Sequence, residues 1–214
     1  MLAANTLFAL KQYPTRNLFI TQTHADRVLS NADRLLSILE SAELVDYFGE
    51  PVSQQAHALQ CANLAKQSNA DEETILAALF HDIGHLCESD SSVNKSSLGV
   101  IDHDVVGAHF LKQYGMSDKV CRLVLGHVQA KRYLTYINPA YFESLSDASK
   151  ATLALQGGPM TKEEAIAFET DPLFSLKIKI RNWDEQAKVI GLVVPNLASY
   201  RPLLLAHLAR NISH

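Results

Sequence analysis

The stretch Ile75-Leu76-Ala77-Ala78-Leu79-Phe80-His81-Asp82-Ile83-Gly84-His85 decides the reading of this chain. Its first six residues are apolar on every side, which predicts a buried helix. That helix delivers an adjacent imidazole and carboxylate into the interior. A buried charge must be paired or bound to metal. A neutral histidine beside a carboxylate able to bridge suits a borderline divalent metal such as iron or manganese. Gly84 is expected to let the chain turn sharply after the pair. The dipeptide alone favours a satisfied His–Asp pair in the core; the rest of the chain decides otherwise.

On the N-terminal side, Val28, Leu29, Leu35, Leu36, Ile38 and Leu39 recur at helical spacing and predict a helix from Ala25 to about Leu44. Asp46-Tyr47-Phe48-Gly49-Glu50-Pro51 interrupts it. Ser53 is an expected N-cap for a second helix, on which His57, Cys61 and Leu64 share a face. Asn69 with Glu72 reads as a capping box for the helix ending at His81. On the C-terminal side, residues 87–98 are rich in Ser and Asp and read as a solvated loop. Further helices are expected over Asp102 to Tyr114, closed by Gly115, and from a Ser117 cap to Gly126-His127. Others are expected over Ser146 to Gln156, after a Thr161–Glu164 capping box, and from Leu173 to about Val189. Pro202 is placed in the first turn of a last helix. Neither strand alternation nor an internal repeat is evident. The expected fold is all-α: a helical bundle with a metal site in its core.

Composition bounds the rest. The 214 residues fit a single domain, and 47% hydrophobic content supports a full core. A formal net charge of −4 speaks against a nucleic-acid surface. Cys61, Cys87 and Cys121 form no CxxC pair, and free thiols in a cytoplasmic, reducing compartment are the expectation. No apolar run has the length of a membrane span. Residues 1–24 hold no acid, and Leu7-Phe8-Ala9-Leu10 is too short for a secretory core. They read as a loosely docked extension before a domain over 25–214.

His57, His81, Asp82, His103, His127 and Asp184 are the candidate metal ligands. His109 shares a helix with His103 but faces elsewhere, while His24, His207 and His214 lie near the termini and are expected at the surface. The order His57, His81-Asp82, Asp184 resembles the H…HD…D signature of the HD-domain superfamily, and His103 and His127 match its two-metal form. Asp46-Tyr47-Phe48-Gly49-Glu50, His127-Val128-Gln129-Ala130-Lys131-Arg132-Tyr133, Leu155-Gln156-Gly157-Gly158-Pro159-Met160 and Arg181-Asn182-Trp183-Asp184-Glu185 resemble a narrower group. That group is the HD-domain dioxygenases of phosphonate breakdown. The likeness runs from about Leu44 to about Leu205.

The resemblance implies two iron ions (Fe2+/Fe3+), a mixed-valent pair. One would take His57, His81, Asp82 and Asp184; the other would share Asp82 and add His103 and His127. It implies cleavage of the C–P bond of (R)-2-amino-1-hydroxyethylphosphonate with O2, giving glycine and inorganic phosphate. His85, Lys131, Ser149, Thr152, Gln156 and Arg181 would bind the substrate. Arginine suits phosphoryl oxygens as a planar fork, lysine as a point charge and hydroxyls as neutral donors. Tyr47 and Glu50 would form a lid, with the phenol holding an iron position until substrate arrives and the carboxylate reading its amine. The catalytic set is then Tyr47, Glu50, His85 and Lys131. The partners are a small phosphonate and O2, with no nucleic acid and no membrane. Two alternatives stay open: a trimethylammonium analogue giving glycine betaine, and a metal-dependent HD phosphohydrolase of a nucleotide or other phosphate ester.

Overall fold

The computed structural model describes residues 15–47, 50, 52–87, 95–96 and 99–212. Among these lie ten α-helices. The first five are α1 (Thr15–Ser41), α2 (Gln54–Gln67), α3 (Glu72–Phe80), α4 (His103–Gln113) and α5 (Asp118–Ile137). The others are α6 (Pro139–Ser144), α7 (Asp147–Leu155), α8 (Lys162–Glu169), α9 (Phe174–Gln186) and α10 (Arg201–Asn211). The all-α expectation holds, with one addition. Two-residue strands β1 (Lys95–Ser96) and β2 (Gly99–Val100) pair antiparallel, Lys95 opposite Val100. Of the loop expected over 87–98, residues 88–94 and 97–98 lie outside the described residues, as do 1–14.

Helix α3 is the centre of the bundle. Leu76, Ala77, Ala78, Leu79 and Phe80 are fully buried, packed among α2, α5, α9 and α10. A helix apolar all round has no solvent face, so it must sit inside. Around it α4 packs on α5, α5 on α9, and α1 on α10. A smaller cluster of Ala130, Tyr133, Met160, Ala165 and Phe168 binds α8 to the far half of α5. Among the described residues no helix is long and apolar enough to cross a membrane. Cys61, Cys87 and Cys121 are free thiols.

Capping residues set the helix starts as expected. Ser53 and Ser117 accept from Ala56 and Val120 N–H groups, and Thr161 with Glu164 forms a complete capping box. Ser146, expected only as the start of a helix, is a cap as well and accepts from Ser149 N–H. Several expectations are corrected. Helix α1 begins at Thr15, ahead of the expected Ala25. The cap of α3 is Asp71, which accepts from Thr74 N–H; Asn69 instead takes a positive φ of 53° in the preceding turn. Asparagine tolerates that region better than most residues. Helix α5 continues past His127 to Ile137, because the smaller cluster buries its second half. Helix α9 stops at Gln186, short of Val189. His207 is buried, not a surface histidine: its Nε2 accepts from Ser117 N–H at 3.1 Å and ties α10 to the start of α5.

Gly84 has a role other than the expected one. It lies in the tight turn Ile83–His85 and does not have a positive φ. A Cβ there would sit 1.9 Å from the His103 carbonyl oxygen and 2.8 Å from Gly107 N. Glycine is needed for close approach, which brings the start of α4 against the end of α3.

Candidate metal centre

Four imidazoles converge, and backbone carbonyls set the tautomer of each. His57 Nδ1 lies 2.9 Å from Ala187 O, and His81 Nδ1 2.9 Å from Ala78 O. His103 Nδ1 lies 3.2 Å from Val100 O, and His127 Nδ1 2.6 Å from Val124 O. A carbonyl only accepts, so each Nδ1 carries the proton and each neutral ring turns a lone pair outward on Nε2. Those lone pairs face one another. His57 Nε2 is 3.1 Å from His81 Nε2, and His103 Nε2 is 2.9 Å from His127 Nε2. The members of each pair are 24 residues apart in the chain.

Asp82 stands between the pairs. Its Oδ2 lies 3.3 Å from His81 Nε2 and 3.7 Å from His57 Nε2. Its Oδ1 lies 3.3 Å from both His103 Nε2 and His127 Nε2. Asp184 Oδ1 joins the first pair, 3.3 Å from His57 Nε2, and is buried with no hydrogen-bond partner. Burial alone would push both carboxyls up. Positive charge beside them, on Arg181 in the case of Asp184 and on His81 when it is protonated, holds them well below the usual carboxylate range.

Opposed lone pairs and an orphaned buried carboxylate oxygen are unfavourable unless a cation lies among them. Ligand atoms about 2.1 Å from one ion and at right angles are about 3 Å apart, the spacing of these donors. The donor set therefore fits metal. His57, His81, Asp82 and Asp184 can hold one ion, and Asp82, His103 and His127 another. The partner carbonyl on each Nδ1 fixes ring orientation, as at known histidine metal sites.

A cavity opens over the second group, lined by Tyr47, Glu50, Asp82, His103, His127 and Asp184. His85, Lys131, Ser149, Thr152 and Arg181 complete its lining. His85 stacks on His103 with centroids 4.0 Å apart, and its Nδ1 accepts from Val100 N–H at 3.3 Å. A neutral His85 then carries its proton on Nε2 and is a donor there. Burial, then His103, hold its pKa well below the ordinary value. Lys131 is buried and donates to Thr152 Oγ1 at 3.0 Å, and Thr152 donates to Ser149 O. Burial, then the Arg181 charge, push the Lys131 pKa down to about 7. Arg181 is buried, pairs with Asp184 and Glu185, and donates from Nε to Tyr141 OH at 2.8 Å.

Tyr47 and Glu50 both reach the site. Tyr47 OH donates to Asp82 Oδ2 at 2.8 Å, and its ring stacks on His57, 4.0 Å between centroids. Burial and then the charge of Asp82 raise the phenol well above its ordinary pKa. Glu50 Oε1 accepts from Ser146 Oγ at 2.6 Å and Lys188 Nζ at 2.9 Å. Burial opposes ionisation of Glu50; Ser146 and Lys188 outweigh it and lower the pKa. Phe48, Gly49 and Pro51 lie outside the described residues.

All the expected site residues come together save one. Gln156 sits past the end of α7 as its C-cap and does not line the cavity, because the helical face of Ser149 and Thr152 ends before it. Sequence reasoning missed Tyr141, Glu185 and Lys188, and read Ser146 only as the start of a helix. Nothing local marks Tyr141 or Lys188.

The HD domain family model matches residues 55–174. Hydroxymethylphosphonate dioxygenase of Gimesia maris is 40% identical over 86% of this chain and 89% of its own length. The [1-hydroxy-2-(trimethylamino)ethyl]phosphonate dioxygenase (glycine-betaine-forming) of Leisingera caerulea is 38% identical over 74% of this chain and 81% of its own. Uncharacterized protein L432 of Acanthamoeba polyphaga mimivirus is 32% identical over 96% of this chain and 94% of its own.

Proposed function

The chain belongs to the HD-domain family and, within it, to the phosphonate dioxygenases; on that premise we propose that it uses two iron ions and O2 to cleave the C–P bond of 2-amino-1-hydroxyethylphosphonate, giving glycine and inorganic phosphate. The observation that carries this reading is the two facing pairs of Nε2 atoms divided by Asp82. Imidazole and carboxylate donors suit non-haem iron. Iron held by His57, His81, Asp82, Asp184, His103 and His127 would supply O2 activation and the electron transfers of C–H oxidation. The products hold two more oxygen atoms than the substrate, which one O2 provides.

The chain's own groups bind and orient. Lys131 and Arg181 meet the negative charge of the phosphonate, and His85 Nε2–H, Ser149 and Thr152 offer neutral donors to its oxygens. Glu50 faces the same cavity and suits the substrate ammonium. To admit a substrate oxygen beside Asp82, the Tyr47 phenol must give up its bond to Oδ2. The cavity is lined by charged and hydrogen-bonding side chains that suit a small anionic compound. A quaternary ammonium selects an aromatic cage. Apart from histidines, Tyr47 is the one aromatic lining this cavity among the described residues, which favours the primary amine.

Phosphate and glycine release by iron-loaded protein, with and without O2, tests the reading. Oxygen-dependent, equimolar phosphate and glycine are expected. Faster turnover of the trimethylammonium compound would overturn the choice of amine. Oxygen-independent hydrolysis of phosphate esters, with no phosphonate cleaved, would overturn the oxygenase itself.

A further inference from the structure

We infer that Lys188 is a specificity-determining residue: it already neutralises the carboxylate that a substrate ammonium would meet, and so sets how strongly the site prefers a cationic over an uncharged phosphonate. This rests on the phosphonate reading above and adds to it a residue that lies outside the cavity.

Glu50 lines the cavity and Lys188 does not. Lys188 reaches the carboxylate from beyond α9, with Nζ 2.9 Å from Oε1. The pair is largely withdrawn from water, with side chains 11% exposed for Glu50 and 15% for Lys188. Screening between them is therefore weaker than at an open surface. The Ser146 hydroxyl falls on the same Oε1, so neither contact takes Oε2.

The surrounding charges make the pair separable. Glu185 lies 3.7 Å from Lys188 Nζ but has a cation of its own in Arg181. Removing the Lys188 charge leaves Glu185 paired. Glu50 would keep only the Ser146 hydroxyl, since Lys188 is its one ion-pair partner among the described residues. A buried carboxylate stripped of its partner is strongly disfavoured. An arriving ammonium would restore the missing charge. In the intact protein the same ammonium meets a carboxylate already paired, and a second positive charge behind it. Lys188 thus lowers the advantage of a charged nitrogen, and an uncharged substituent is unaffected by it.

The test compares 2-amino-1-hydroxyethylphosphonate with hydroxymethylphosphonate, which lacks the nitrogen. Anaerobic calorimetry on iron-loaded protein gives Kd for each, and steady-state rates give kcat and KM. With Lys188→Met, Kd and KM for the amino compound are expected to fall about tenfold relative to the hydroxymethyl compound, a fraction of the full cost of breaking a buried pair. The hydroxymethyl values and kcat should stay near wild type. Lys188→Arg keeps the charge and should restore the wild-type ratio. Lys188→Gln carries the same expectation as Met should Met fail to fold. A ratio within twofold of wild type, or one shifted against the amino compound, overturns the inference and makes Lys188 a support for Glu50 or nothing. Wild-type protein binding neither compound would instead overturn the phosphonate reading, and this inference with it.

Discussion

Protonation at single atoms governs the site. Four Nδ1–H groups are committed to carbonyls, His85 is left a donor at Nε2, and Lys131 is the cation nearest its switching point. With a pKa of about 7, Lys131 is near half-protonated in the empty pocket at neutral pH. A phosphonate dianion binds the ammonium form and raises that pKa. Affinity is therefore full below about pH 7 and falls as pH rises through it, by up to about tenfold per unit. Ionisation of the phosphonate itself acts in the opposite direction. Calorimetric Kd is expected to rise between pH 6.5 and 8.5, and Lys131→Arg, charged throughout, should flatten the profile. A flat wild-type profile would remove Lys131 as the partner of the anion.

Between elements, the decisive contact is the turn after α3 against the first turn of α4. Gly84→Ala would press a methyl group into the backbone of His103 and Gly107. Overpacking commonly costs about 1–3 kcal/mol, and each kcal/mol lowers Tm by about 2–4 °C at this size. The expected variant is less stable and binds metal poorly at the group that needs His103. Calorimetric Tm and metal content per chain report both, and wild-type values for both would refute the contact. This junction also marks what the sequence could and could not convey. A glycine after His81-Asp82 is visible as a residue, but whether it serves a turn or an approach depends on a helix starting at His103. Caps at Ser53, Ser117 and Thr161 were legible because their partners are three residues away. The length of α5 and the true cap of α3 were not, because burial against α8 and competition between neighbouring acceptors decide them. The same holds at the site. Ligand types and order were visible in the chain, whereas the carbonyl of Ala187 on His57 and the ammonium of Lys188 on Glu50 are tertiary partners with no local mark.

For the whole molecule, a centre built of such donors would be a liability without metal. Buried lone pairs face each other across the middle of the bundle, where α2, α3, α4, α5 and α9 meet. A ligand at 100 times its Kd stabilises a fold by about 2.7 kcal/mol. At about 2–4 °C per kcal/mol, chelation is expected to lower Tm by roughly 5–10 °C. Readdition of ferrous iron under anaerobic conditions should restore it. An unchanged Tm on chelation would mean that the imidazoles are satisfied by protein alone. Stability and activity are thus expected to share one dependence on metal.

The equal spacing within the two histidine pairs bears on how the chain closes. His57 and His81 belong to the hairpin of α2 and α3, and His103 and His127 to that of α4 and α5. Each pair closes a loop of the same modest length, and loop-closure entropy grows only slowly with length, by about 0.6 kcal/mol per doubling. Both halves are thus local products of their own hairpins. Docking of hairpin on hairpin across Gly84 gives Asp82 its second pair of neighbours. Asp184 and Arg181, further along the chain on α9, complete the centre from outside both hairpins.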